Sequence, residues 1–137
     1  MAVVNELLRT EDDGSLSFGN YELKSKTKLP DFEHKGNLYK VKTFNEITKL
    51  ERDGSFVYES VPGTAVFNFI QKEEEISFKV EGQDDAQITV EAEDGAEYKV
   101  YVDGTNVGTV KANMGGKLVI SVEINKDTPT EVKLIKE

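Results

Sequence analysis

The chain has 137 residues, with 17 Lys and Arg against 26 Asp and Glu, and neither cysteine nor tryptophan. That length suffices for one ordinary domain or two small β modules and removes enough surface from water to fold unaided. The missing thiols exclude disulfides, thiol nucleophiles and thiolate metal centres, and a net charge of −9 repels phosphate backbones and anionic headgroups, so neither nucleic acid nor a membrane is an expected partner.

In chain order, Val3, Val4, Leu7 and Leu8 sit at helical spacing and predict a short amphipathic helix over residues 2–9. This opening lacks a basic n-region, and no apolar run approaches the ~20 residues of a spanning helix, so a cytoplasmic protein is expected. Residues 15–18 alternate as a strand. Lys24, Lys26 and Lys28 form the one basic concentration, read as lysines guarding a sheet edge. His34, between Glu33 and Lys35 and ahead of Gly36, is expected in an exposed loop. Further strands are predicted at 37–43, 55–60 and 64–71. Thr43-Phe44-Asn45-Glu46 matches a capping box ahead of Ile47 and Leu50, yet Asp53-Gly54 closes a hairpin over 47–60, and the hairpin is preferred. Arg9 to Phe18 and Lys49 to Tyr58 share an Asp-Gly-Ser turn before an alternating strand, read as two independent uses of one turn chemistry. Pro30 and Pro62-Gly63 mark turns or edges.

The run 64–71 is apolar on both faces, Ala65, Phe67 and Phe69 against Val66 and Ile70, and predicts a central strand. Glu73-Glu74-Glu75 is the best boundary, dividing a β-rich module at 1–72 from a second module at 73–137. Charge divides there too: ten basic against eleven acidic residues before it, seven against fifteen after it. Residues 76–136 then read as six short strands, carried by Ile76, Phe78 and Val80; Ile88, Val90 and Ala92; Tyr98, Val100 and Val102; Val107 to Ala112; Leu118, Ile120, Val122 and Ile124; and Val132 and Leu134. Asp94-Gly95, Asp103-Gly104 and Gly115-Gly116 supply the positive φ of tight hairpin turns. The fold class is therefore all-β: an antiparallel sandwich, immunoglobulin-like or similar, in the C-terminal half, preceded by the smaller module.

No residue set carries catalysis. His34 is the one histidine, and no Gly-x-Ser-x-Gly or comparable nucleophile signature accompanies it. Glu59 and then Glu51 are the carboxylates to inspect for glycoside chemistry, though Glu91, Glu93, Glu97 and Glu123 fall on wet strand faces. Glu11-Asp12-Asp13-Gly14 and Asp84-Asp85 gather oxygen ligands but miss the EF-hand spacing, so turn chemistry accounts for them and no metal or cofactor is expected. Tyr101 lies opposite in phase to Tyr98, Val100 and Val102, which places an aromatic on the outer face as the one candidate binding residue.

The segments RTEDDGSLSFGNYEL, ITKLERDGSFVYESVPGTAVFNF and YKVYVDGTNVGTVKANMGGKL resemble those of a family of small proteins from Clostridia-type anaerobic bacteria, often labelled "endosialidase", and the resemblance spans nearly the whole chain. The label implies glycan hydrolysis, but the family has no assigned catalytic residues to carry over. Sialidases clamp the substrate carboxylate with clustered arginines, whereas this chain has two, Arg9 beside the predicted helix and Arg52 beside a turn. The expectation is a non-enzymatic binding or assembly protein, partnered by another protein or by itself through the 64–70 run and the Val3, Val4, Leu7, Leu8 stripe. The alternative is a glycan-active protein, hydrolase or carbohydrate-binding module.

Overall fold

A computed structural model describes residues 3–137. Among them the chain forms strands only: β1 Leu8–Thr10, β2 Leu16–Phe18, β3 Thr27–His34, β4 Asn37–Thr43, β5 Thr48–Arg52, β6 Ser55–Val61, β7 Ala65–Gln71, β8 Glu75–Glu81, β9 Ala86–Glu91, β10 Glu97–Val102, β11 Thr105–Lys111, β12 Lys117–Val122 and β13 Thr130–Lys136. Every pairing is antiparallel. A seven-stranded sheet runs β1-β2-β7-β8-β13-β10-β11 and packs on a six-stranded sheet, β12-β9-β6-β5-β4-β3. The molecule is an all-β sandwich.

Alternation decides which face is dry. Ile76, Phe78 and Val80 of β8, Ile88 and Val90 of β9, and Leu118, Ile120 and Val122 of β12 all point between the sheets, while their neighbours face water. At the centre, Phe18, Tyr58, Phe69 and Phe78 meet edge to face or tilted, with centroids 5.2–6.2 Å apart. Such pairs add ~1 kcal/mol each beyond the area they bury.

The boundary drawn at Glu73–Glu75 falls on the turn between β7 and β8, which pair with each other in the seven-stranded sheet. Strands from both sides of it build both sheets, β6 pairs with β9, and one core cluster takes residues from Leu8 to Leu134.

Two expectations fail at the N-terminus. The described part of the predicted 2–9 helix is a turn leading into β1: Leu7 has a φ of 72°, its amide bonds the Val4 carbonyl at 3.0 Å, and the Gly19 amide bonds the Leu7 carbonyl. Pairing with β2 outcompetes helical propensity in so short a stretch. Nor is the apolar surface available to a partner. Val4 packs with Tyr21, Ala65 and Phe67 on the outer side of β7, and Leu8, Val66 and Phe69 enter the main core. The chain's own N-terminal segment is what makes β7 apolar on both faces.

The turn residues divide in two. Lys35-Gly36, Asp53-Gly54 and Asp103-Gly104 all combine a φ near 50° with one just above 80°, closing two-residue hairpins of the type whose twist suits antiparallel strands. Asp94-Gly95 and Gly115-Gly116, expected to do the same, instead carry the chain between sheets, from β9 to β10 and from β11 to β12. There the Ala92 amide bonds the Gly116 carbonyl and the Ala112 amide bonds the Ala96 carbonyl, so the two crossings lie against each other.

Candidate functional site

The strands β4 to β7 run back and forth between two ends of the sandwich. At one end, the β1–β2 turn, the β3–β4 hairpin and the last residues of β5 and β7 stand around a groove of about 440 Å³. Leu16, Phe69 and Ile70 contribute apolar wall; Asp13, His34, Lys35, Arg52 and Lys72 bring charge or a titratable ring, and Asn37, Tyr39 and Gln71 bring neutral donors and acceptors.

His34 ends β3 and is 8 % exposed, which corrects the expectation of an exposed loop. The hairpin Lys35-Gly36 lets β3 stop there, and the β1–β2 turn folds over the ring. Nδ1 lies 3.0 Å from the Thr10 hydroxyl, tying β1 of one sheet to β3 of the other, and Tyr39 meets the ring edge to face at 5.7 Å. Burial first, and the Lys35 charge second, hold the imidazole below its ordinary value against a smaller opposing effect of the Gly14 backbone. The neutral ring is the resident form at neutral pH.

Arg52 ends β5, directly opposite Tyr39 in β4. Its guanidinium donates to both Glu91 carboxylate oxygens, at 2.9 and 3.2 Å, and to Gln71 Oε1 at 3.3 Å. Gln71 in turn donates to the Glu91 carbonyl at 2.9 Å, so the ion pair is braced between sheets. Asp13 is engaged by Ser15, whose amide donates at 3.0 Å and whose hydroxyl also donates. These bonds hold the Asp13 carboxyl below its usual range. Lys35 and Lys72 make no ion pair among the described residues. His34, expected in an exposed loop, is thus buried at this groove, while Arg52 is half-buried and Asp13 stays exposed at the rim.

The remaining predicted residues lie elsewhere. Tyr101 is half-buried on the outer face of the seven-stranded sheet, where with Gly104, Glu131, Lys133 and Ile135 it lines a shallow pocket of about 260 Å³. Glu59 and Glu51 face out from the six-stranded sheet: Glu59 stands opposite Lys49, and Glu51 pairs with Lys49 at 3.6 Å. Arg9, in β1 and not beside a helix, pairs with Glu11 at 2.9 Å and Glu6 at 3.3 Å. Asp85 accepts from the Ile124 amide at 2.9 Å. Glu11 is held below its ordinary value chiefly by the Ser17 hydroxyl, with Arg9 adding to it. Both acidic loops are thus engaged by their own chain.

Sequence reasoning missed Tyr39, Gln71, Lys35 and Lys72 as members of one site. The available signal was positional, since all four lie at or beside predicted strand ends. It could not be used without knowing that these ends converge.

The fold and groove define a class, an antiparallel β-sandwich with a polar, mainly cationic cleft at one end. Comparison with protein-family models, curated proteins and solved structures gave no match to the chain.

Proposed function

We propose that the chain is a non-enzymatic binding module that holds a small anion-bearing ligand in the end groove, and that it does so in the cytoplasm, the compartment the sequence reading expects. One observation carries this. In a chain of net charge −9, three cations converge on a cleft whose lining holds a single carboxylate, Asp13: Arg52, which Glu91 engages from outside the lining, and Lys35 and Lys72, which make no ion pair among the described residues. Gathering cationic groups around a concave site is what gives a small anion purchase. Binding is favoured over catalysis because the titratable groups are already committed: His34 to Thr10, Arg52 to Glu91, Asp13 to Ser15. Among the described residues no base stands beside a free nucleophile with a third group orienting it. An acidic saccharide suits the mixture of apolar wall, tyrosine and ammonium groups, which connects this reading to the glycan alternative.

The test is an NMR titration with acidic monosaccharides and simple carboxylates beside their neutral analogues. Saturable shifts at Lys35, Tyr39 and Arg52, absent with neutral analogues and weakened at least tenfold in Lys35→Gln/Lys72→Gln, support the proposal. No saturable binding of any anion would sink it, and so would glycan turnover by the purified protein. Shifts centred on Tyr101 and Ile135 would move the site to the outer face and favour a carbohydrate-binding module there.

A further inference from the structure

The sandwich has four sheet edges, and three are blunted. β1 is only three residues long and is tied to β3 through Thr10 and His34. β3 carries Pro30, a positive-φ Asp31 and a register shift between Leu29 and Phe32. β11 has a shift opposite Val100 and Tyr101, with a Gly108 φ of 134°. Short strands, prolines and bulges are the ordinary devices against edge pairing. β12 has none of them: Lys117–Val122 pairs with β9 in unbroken register and contains neither Gly nor Pro.

The free side of β12 can be read from its ladder. The Ala92 amide bonds the Gly116 carbonyl at 2.9 Å, and Gly116 stands opposite Ala92 in the register that continues through Leu118–Val90 and Ile120–Ile88. Hydrogen-bonded and open pairs alternate, so the even residues bond β9 and the odd residues direct their amides and carbonyls outward. Asn113 caps those of Lys117, at 3.1 and 3.0 Å. Those of Val119 and Ser121 are left open, and the Val119 side chain is 44 % exposed.

We infer that β12 pairs with β12 of a second copy of this chain, antiparallel about Ile120. The sequence Lys117-Leu-Val-Ile-Ser-Val-Glu123 is self-complementary in that register. Leu118 faces Val122 on the inner side. Val119 faces Ser121 and exchanges both backbone bonds with it, twice over by symmetry. The two Val119 side chains become diagonal neighbours and cover each other. At both ends Lys117 of one copy meets Glu123 of the other on the outer face, exchanging its contact with the Phe56 ring, 4.6 Å away, for a carboxylate. A register one residue off would place inner side chains on the wet face. The partner is thus a second copy, joining two six-stranded sheets into one, with a two-fold axis that closes the assembly. The inference gives self-association a surface without using the groove, whose six-stranded-sheet walls are β3, β4 and β5. Loss of dimer and loss of ligand are therefore separate readouts.

Sedimentation equilibrium on the full chain across a concentration series is the test, with far-UV circular dichroism and thermal melts as folding controls. Wild type is expected to approach twice 15.3 kDa at high concentration. Ser121→Pro removes only an outward amide, tolerable on an edge strand, and should weaken the dimer at least tenfold with the fold intact. Lys117→Glu and Glu123→Lys should each weaken it about tenfold, and the double variant should restore it. A wild-type monomer throughout would overturn the inference. So would a dimer indifferent to Ser121→Pro, or one that the double exchange does not restore.

Discussion

The two ends reached by β4, β5, β6 and β7 solve the same problem, polar groups inside a β-sandwich, in opposite ways. At the closed end Thr43, Thr48, Tyr58, Ser60 and Thr64 are wholly buried and satisfy one another. The Thr48 hydroxyl donates to the Thr64 carbonyl at 2.8 Å and accepts from the Thr64 amide at 3.1 Å. Thr43 lies 2.8 Å from Thr48 and accepts from the Asn20 amide at 2.9 Å. Tyr58 and Ser60 reach the Thr64 hydroxyl at 2.9 and 2.7 Å. Only neutral hydroxyls can be buried so completely, and burial pushes the Tyr58 phenol far above its ordinary value. At the groove Asp13, Lys35, Arg52 and Lys72 carry full charges and are exposed or half-exposed, and only His34 among the titratable groups is buried. The closed end therefore specifies the fold, and the open end is where the proposed binding would be tested.

That contrast is most sharply broken at Gly63. A Cβ there would lie 2.0 Å from the Phe44 carbonyl oxygen, a backbone atom held by the β4–β5 turn. Gly63→Ala should cost about 4 kcal/mol in urea denaturation, and a near-neutral result would show that the closed end is not tightly packed. Thr48→Val comes next. It leaves the Thr64 amide and carbonyl and the Thr43 hydroxyl without their partner, for a loss of about 3 kcal/mol. Recovery of most of that loss in a Thr43→Val/Thr48→Val double variant would reduce the network to a pairwise contact.

The same contrast explains what could be read before the structure. Period-two alternation from Ile76 to Leu134 identified β8, β9, β10, β12 and β13, because each has one wet face, while β11, exposed along nearly its whole length, gave only a short irregular run. β1 and β3 escaped. β1 is too short to show a period, and Pro30 with its neighbouring bulge breaks that of β3. Asp94-Gly95 and Asp103-Gly104 are equivalent in sequence, yet one crosses between sheets and the other closes a hairpin. A positive φ fixes the turn and not the sheet that the next strand joins. His34 was read as exposed because what buries it, the β1–β2 turn, lies some twenty residues earlier and arrives only through tertiary pairing.

At the groove the expected effects are smaller and depend on pH. The folded state depresses the His34 value below its ordinary 6.5, so the unfolded chain binds the proton more readily. Stability from this group is complete above pH 6.5 and is lost as pH falls through the lower folded value. Lys35 is the charge felt at the ring, Asp13, Arg52 and Lys72 line the same groove, and Arg9 pairs with Glu11 beside Thr10. Of these, only the carboxylates titrate in acid, and Asp13 and Glu11 are held below their ordinary 3.8 and 4.5, so their windows lie lower still. Melting temperature against pH should show a step beginning near 6.5 in wild type and none there in His34→Gln. A step that persists in the variant would assign the titration elsewhere.

Arg52→Met is expected to change stability least. The Arg52 side chain is 28 % exposed and that of Glu91 35 %, so water replaces the lost partner on both sides, and partly exposed ion pairs contribute no more than about 1 kcal/mol. The methionine keeps the stem packed beside Tyr39. Denaturation should thus place this variant within about 1 kcal/mol of wild type, while affinity for the anion proposed to occupy the groove falls at least tenfold. A stability loss as large as that of Thr48→Val, with affinity unchanged, would make Arg52 a structural brace between the sheets and erase the distinction between the two ends.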